Sequence, residues 1–169
     1  METRGRGDAA RRSSRPTGST ATSRRTPARK HMRKRPGFAV FGTTADMGIR
    51  ARGRTLPRLF ENAALGMFHI IGTAAEGPVR ERRISARAES TELLLYAWLS
   101  ELLYLHDAKG YFCTGFRSTT VVDNRLSSRI VYVRAGGARV ERQVKAVTLH
   151  GLDIERGRSG YRVAVIFDL

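Results

Sequence analysis

The chain has 169 residues, with 31 Lys and Arg against 15 Asp and Glu, a formal net charge of +16 at pH 7. This length suits a single folded domain, and no apolar run reaches the ~18 residues that a membrane span needs, so a membrane protein is not expected. The single cysteine, Cys113, excludes an internal disulfide framework and is typical of a reducing, cytoplasmic location.

The basic charge is concentrated at the N-terminus. Residues 1–37 carry twelve Lys and Arg against two acidic residues, whereas residues 38–169 carry nineteen against thirteen. Residues 1–36 are rich in Arg, Ser, Thr, Pro and Gly, so we predict a disordered tail that cannot bury enough apolar surface to fold. The folded domain is predicted over residues 37–169. Net charge alone therefore gives no reason to assign nucleic-acid binding to that domain.

The folded part begins with two strand-like runs, 38–41 and 47–52, that flank Asp46. A carboxylate between two strands is poorly placed for packing and is expected to face a cleft. A helix is predicted over Leu56–Ile71, because Thr55 is a suitable N-cap, Pro57 falls in the first turn and apolar residues recur at helical spacing. Gly72 is expected to end it.

A second helix is predicted over residues 91–106, capped by Ser90 or Thr91, with apolar residues around most of its circumference. Such a helix should be almost enclosed by the fold or covered by a partner. The other elements are predicted strands rich in Val, Ile, Tyr, Phe and Thr; they cover residues 83–87, 111–122, 129–134, 144–149 and 161–167. Helices followed by short strands predict an α+β fold with a mostly antiparallel sheet.

Familiar catalytic motifs are missing from the sequence. It has no P-loop, no Gly-x-Gly-x-x-Gly after a strand, no Cys-x-x-Cys and no Gly-x-Ser-x-Gly. The four histidines, His31, His69, His106 and His150, lack metal-ligand spacing. Cys113 alternates within a strand-like run, which favours a packed thiol over a nucleophile.

Carboxylates are the stronger candidates for chemistry. Asp168 follows an apolar strand, and Leu169 adds the terminal carboxylate one residue later. If this strand pairs near Asp46, three carboxylates converge, and such crowding requires a cation. Oxygen ligands select Ca²⁺ or Mg²⁺ over zinc. The alternative is a solvated aspartate that simply ends a strand.

Residues 44–49, Thr-Ala-Asp-Met-Gly-Ile, resemble the N-terminal signature of the archease family, usually Asp-His-Thr-Ala-Asp-x-Gly-Ile. The similarity continues in order through the rest of the chain and covers residues 52–56, 59–68, 94–107, 144–152 and 165–169. There are two departures. Gly42 and Thr43 stand where the family usually has Asp-His, and Arg54 stands where an acidic residue is common.

The resemblance implies a compact two-layer domain that is not an enzyme. Archeases are protein cofactors of RtcB-type RNA ligases, which join tRNA halves with GTP; they speed ligase guanylylation and allow repeated turnover. The family's metal ligands correspond to Asp46, Asp168 and Leu169, which implies bound Ca²⁺, or alternatively Mg²⁺. No nucleotide would bind this chain itself, and RNA would be reached through the ligase.

Two other functions remain as alternatives. The first is an RNA-binding or chaperone-like module that uses the basic tail, since clustered Arg binds phosphates with release of counterions. The second is a metal-dependent phosphohydrolase, which is disfavoured because no general base or second-metal cluster is evident.

Overall fold

The computed structural model describes residues 37–42, 46–74, 76–134 and 138–169. The predicted disordered tail, residues 1–36, lies outside these ranges. The described part contains two helices and ten strands. In chain order they are β1 (Phe38–Gly42), β2 (Met47–Gly53), α1 (Leu56–Ile71), β3 (Gly72–Thr73), β4 (Arg80–Arg87), α2 (Thr91–Lys109), β5 (Tyr111–Val122), β6 (Arg125–Arg134), β7 (Arg139–Val140), β8 (Ala146–Val147), β9 (Ile154–Gly157) and β10 (Gly160–Asp168).

Helix α1 has the bounds that the sequence predicted. The Thr55 hydroxyl accepts a hydrogen bond from the Arg58 N–H at 3.4 Å, which satisfies one of the free amides of the first turn. At the other end, the N–H of Gly72 donates to the Phe68 carbonyl. The apolar stripe of this helix is buried, so it forms the centre of the core.

Helix α2 begins as predicted but ends three residues later than residue 106. The Ser90 hydroxyl accepts from the Leu93 N–H at 3.2 Å. Gly110 adopts the left-handed conformation, with φ of 64°, and its N–H donates to the His106 carbonyl. A left-handed residue just after the last turn is a common helix end. Residues 107–109 have no such break, so the helix continues through them.

Every strand pairing among the described residues is antiparallel, which confirms the predicted α+β class. The strands form two main sheets and a short ribbon rather than one sheet. The five-stranded sheet has the order β1-β2-β10-β8, with β9 also on β10; the three-stranded sheet has the order β4-β6-β5; β3 pairs with β7. Helix α1 contacts both sheets, mainly through β2 and β5, and α2 contacts α1, the three-stranded sheet and β8 of the five-stranded sheet.

Some predicted strand ends were wrong. Strand β6 begins at Arg125 rather than residue 129, because Asp123 and Asn124 both have positive φ, 49° and 53°, and form a tight two-residue hairpin turn. Strand β8 is shorter than the predicted 144–149. Among the described residues it pairs only with Phe167 and Asp168 of β10.

Strand β9 was not predicted. Only Ile154 of its four residues is partly buried, and the other three are exposed, so no alternation of apolar and polar residues marks it. Its place depends on pairing with β10, where Ile154 lies opposite Val163.

The second helix is almost enclosed, as its composition predicted. Trp98 is fully buried, and its indole N–H donates to the Phe60 carbonyl at 3.3 Å, which joins α2 to α1. Leu93 and Tyr104 stay partly exposed, at 37% and 54%. Neither helix in the described part of the chain is long and apolar enough to cross a membrane.

We expect Leu102→Ala to lower the free energy of unfolding by about 2–5 kcal/mol, as cavity-forming changes in cores do, since Leu102 is 1% exposed. Leu93→Ala removes the same atoms from the same helix at a more exposed position. Leu93→Ala should therefore lower the free energy of unfolding by less than about 1 kcal/mol. Urea denaturation of both variants measures the difference, and equal losses would contradict the packing described for α2.

Candidate functional site

The first two predicted site residues lie at the ends of neighbouring strands. Strands β2 and β10 pair with Met47 opposite Phe167. Asp46 precedes Met47 and Asp168 follows Phe167, so both aspartates lie directly beyond the last pair of this ladder, and continuation of the register by one residue would set them opposite each other. Directly opposed antiparallel residues have Cβ atoms roughly 4.5–5.5 Å apart. The fold therefore brings these two carboxylates to one end of the five-stranded sheet.

The end of the chain is fixed at the same place. Leu169 is half-buried against the core, and its main-chain oxygen accepts a hydrogen bond from Lys145 Nζ at 2.7 Å. The Lys145 N–H donates to the Asp168 carbonyl at 2.8 Å. We call Asp46, Asp168 and the terminal carboxylate of Leu169 the acidic edge.

The acidic edge has only oxygen donors. Asp46 and Asp168 are exposed, and no ion pair between described residues includes either of them. Two like charges on facing strand positions repel each other, and a cation between them relieves that repulsion. In the described ranges, no three side chains of His, Cys, Asp or Glu converge as a metal site. The predicted metal ligands are not a cluster of three such side chains, because the third ligand is the main-chain carboxylate of Leu169.

Two residues at this edge were not predicted to be part of a site. Lys145 supplies the cation that contacts the terminus, but no local pattern places a lysine near residue 169. Thr148 has a buried hydroxyl with no hydrogen-bond partner among the described residues, while its N–H donates to the Ile166 carbonyl at 3.0 Å. The one sequence signal for Thr148 was its position as a polar residue between Val147 and Leu149.

Gly42 lies where the backbone of β1 passes close to Asp46. Gly42 ends β1 with φ of 149°, and a Cβ added there would lie 2.3 Å from the Asp46 carbonyl oxygen. A side chain at this position would require the backbone to shift. This chain has no carboxylate at position 42, and Thr43 lies outside the described residues. Arg54 follows the opposite end of β2, away from the acidic edge.

The other candidate residues have structural roles. Cys113 is buried, and its Sγ lies 3.6 Å from the Gly115 carbonyl, which agrees with the predicted packed thiol. His106 Nδ1 lies 3.1 Å from the Tyr111 carbonyl, and its ring packs edge-on against Phe68. His69 lies against Phe38, and His150 is exposed in a turn.

The family model described as "Archease protein family (MTH1598/TM1083)" matches residues 38–169. "Protein archease" from Methanothermobacter thermautotrophicus is 34% identical over 79% of this chain and 99% of the relative. "Protein archease" from Saccharolobus solfataricus is 38% identical over 78% of this chain and 98% of the relative. Neither name states an enzymatic activity.

Solved structures agree with the fold. The solution structure of Methanobacterium thermoautotrophicum protein 1598 matches with a TM-score of 0.62 and 32% identity, covering 79% of this chain and 99% of that one. A crystal structure from Thermotoga maritima, described as an archease and possible chaperone, matches with a TM-score of 0.56 over 82% of this chain and 98% of that one. At 22% identity, the second match concerns the fold alone.

Cys113 should resist alkylation in the native protein. Burial raises its pKa to about 12, so only about one thiol in ten thousand is a thiolate at pH 8. In urea the pKa returns to its ordinary value of ~8.5, and the same thiol should react within the time of the assay. Iodoacetamide incorporation followed by mass spectrometry measures both rates. Similar rates in the two states would mean that the thiol is accessible in the fold.

Proposed function

Because the chain belongs to the archease family, we propose that it activates an RtcB-type RNA ligase in tRNA splicing, with the acidic edge as its working surface. The observation that supports the proposal is the β2–β10 register, whose last pair is Met47 and Phe167, so that Asp46 and Asp168 follow at the same end of the ladder, next to Leu169. The proposed location is cytoplasmic. The ligase retains the nucleotide chemistry, and this chain acts on the ligase as a protein partner.

The donor chemistry of the acidic edge fits a hard cation. Asp46, Asp168 and the Leu169 carboxylate would hold it through oxygen atoms, as Ca²⁺ and Mg²⁺ prefer. We propose Ca²⁺, with Mg²⁺ as the alternative. Ca²⁺ takes 6–8 oxygen ligands, so three carboxylates that bind through one oxygen each leave positions for water and for oxygen atoms of the ligase. When bound, the cation would supply positive charge at an otherwise negative surface.

The residues of this chain contribute positioning rather than bond making. The β2–β10 ladder fixes the spacing of Asp46 and Asp168, and Lys145 orients the terminus through its contacts with Asp168 and Leu169. Docking of this preformed edge favours a ligase conformation only if that conformation binds the edge more tightly than its competitor does. We propose that the favoured conformation is the one ready for guanylylation, which would also account for repeated turnover.

We expect Asp46→Asn to abolish stimulation of ligase turnover and to weaken Ca²⁺ binding by at least roughly 10- to 100-fold, the loss seen when support of a metal site is removed. The exposed Asp153 lies before β9, outside the acidic edge, so Asp153→Asn is the matched control. Ligation turnovers with the host's ligase and calorimetry with Ca²⁺ measure the two effects.

The fold should survive the Asp46→Asn change, because the amide removes one of two like charges on facing strands. The thermal midpoint without metal should hold or rise slightly. Full ligase stimulation by a folded Asp46→Asn protein would refute the assignment of the site. Equal losses in both aspartate variants would show a general effect of charge instead.

A further inference from the structure

The three-stranded sheet has a strongly basic outer face. Residues alternate between the two faces of a strand, so the buried Ile84, Leu126 and Ile130 mark the face toward the core. The opposite face carries five exposed arginines, namely Arg83 and Arg87 on β4, Arg125 and Arg129 on β6, and Arg117 on β5. We call these five residues the arginine face.

The register sets arginines directly against each other. Arg83 lies opposite Arg129, and Arg87 lies opposite Arg125. Like charges at directly opposed strand positions destabilise an antiparallel pair. Two such pairs on one ladder therefore carry a repulsion that a bound anion would remove.

Few carboxylates neutralise this face. Glu81 accepts from Arg117 Nε at 2.7 Å and lies 3.9 Å from Arg129. Arg83, Arg87 and Arg125 have no ion pair with any described residue. Asp123 lies in the turn at the end of the face, and Glu89 lies beside the same turn, where its carbonyl accepts from Asn124 Nδ2. Three or more guanidinium groups thus remain available to an external anion.

Hydroxyl groups lie between the arginines. Ser85 is opposite Ser127, in the row between the two arginine pairs, and Thr120 is opposite Ser127 on the other side. A cavity of about 900 Å³ lies at the hairpin end, and Ser85, Arg87 and Ser127 are among the residues that line it. From Arg83 to Arg87 the strand extends roughly 13 Å, which is long enough for more than one phosphate group.

We propose that the arginine face binds the phosphodiester backbone of nucleic acid. Guanidinium groups donate in pairs to phosphate oxygens, and Ser and Thr hydroxyls contact phosphates and sugars. The stacked tyrosines of this sheet, Tyr111 and Tyr132, lie on the other face, so base stacking does not contribute and binding should be independent of sequence.

An acidic protein is the less favoured ligand. Stable protein interfaces have a buried centre with aromatic or aliphatic anchors. The arginine face has no aromatic residue, and its large apolar side chain at the hairpin end, Val122, stays 65% exposed at the edge. Charge and hydroxyl groups without an apolar centre fit a sugar–phosphate backbone better.

The test removes four charges from the face in the full-length chain, with Arg83, Arg87, Arg125 and Arg129 all changed to Gln. The control changes four exposed arginines elsewhere to Gln, namely Arg52, Arg54, Arg142 and Arg158, none of which is ion-paired to a described residue. Both variants keep the basic tail and lose equal net charge. Fluorescence anisotropy with a labelled RNA hairpin and its DNA counterpart measures binding over a series of salt concentrations.

We expect the face variant to bind the RNA hairpin at least ~10-fold more weakly, and the slope of log affinity against log salt to fall by about 3, since each phosphate contact contributes about 0.7–0.9. The control should keep nearly the full slope. Equal loss for RNA and DNA would support backbone contact alone, and a larger loss for RNA would add contacts to the 2′-hydroxyl.

Removal of the opposed arginine pairs should leave the thermal midpoint unchanged or higher. If the four changes together lower the thermal midpoint, the double variant Arg83→Gln with Arg129→Gln provides the same test. It should change the slope of log affinity against log salt by about half as much. The proposal is wrong if the face variant keeps the affinity and slope of the unmodified chain, or if the control loses as much. Normal nucleic-acid binding with lost ligase stimulation would identify the face as a protein-docking surface instead.

Discussion

The antiparallel ladder between β2 and β10 is the constraint on which the rest of the site depends. It joins a strand near the start of the folded part to the last strand of the chain, with seven residue pairs from Tyr161–Gly53 to Phe167–Met47. A shift of one residue would turn the buried Ile49 and Val165 toward solvent. The burial of these side chains therefore fixes the register, and the register fixes where Asp46 and Asp168 lie relative to each other.

The two main sheets carry opposite charges on their exposed parts: one has an acidic end and the other has a basic outer face. In the five-stranded sheet, the end of β10 lies beside the start of β8 and the start of β2, so Asp46 and Asp168 lie at one end of the sheet, with Lys145 as the cation that contacts Leu169. In the three-stranded sheet, the tight turn at Asp123 and Asn124 joins β5 to β6, and the register between β4 and β6 sets arginines opposite each other. One compact core thus supports an acidic edge and a basic face.

Local signals in the sequence predicted much of this fold. Helix α1 was predictable because its cap, its proline and its terminal glycine are all local, and the α+β class followed from the order of elements. Strand β9 and the short length of β8 were not predictable, since both depend on pairing with β10. Resemblance and residue type pointed to Asp46 and Asp168, but only the register shows that both lie at the same end of the β2–β10 ladder. The arginine face could not be predicted from the net charge, because net charge does not show which charged residues the fold places on the same face.

Calcium calorimetry on a double-mutant cycle of Asp46→Asn and Asp168→Asn tests most directly whether these two residues hold one cation. If both carboxylates bind the same ion, their contributions are coupled, and the double variant should lose much less binding free energy than the sum of the single losses. A single change would already have removed most of the site. Additive losses, or Ca²⁺ binding that neither change weakens, would contradict a shared metal site at the acidic edge.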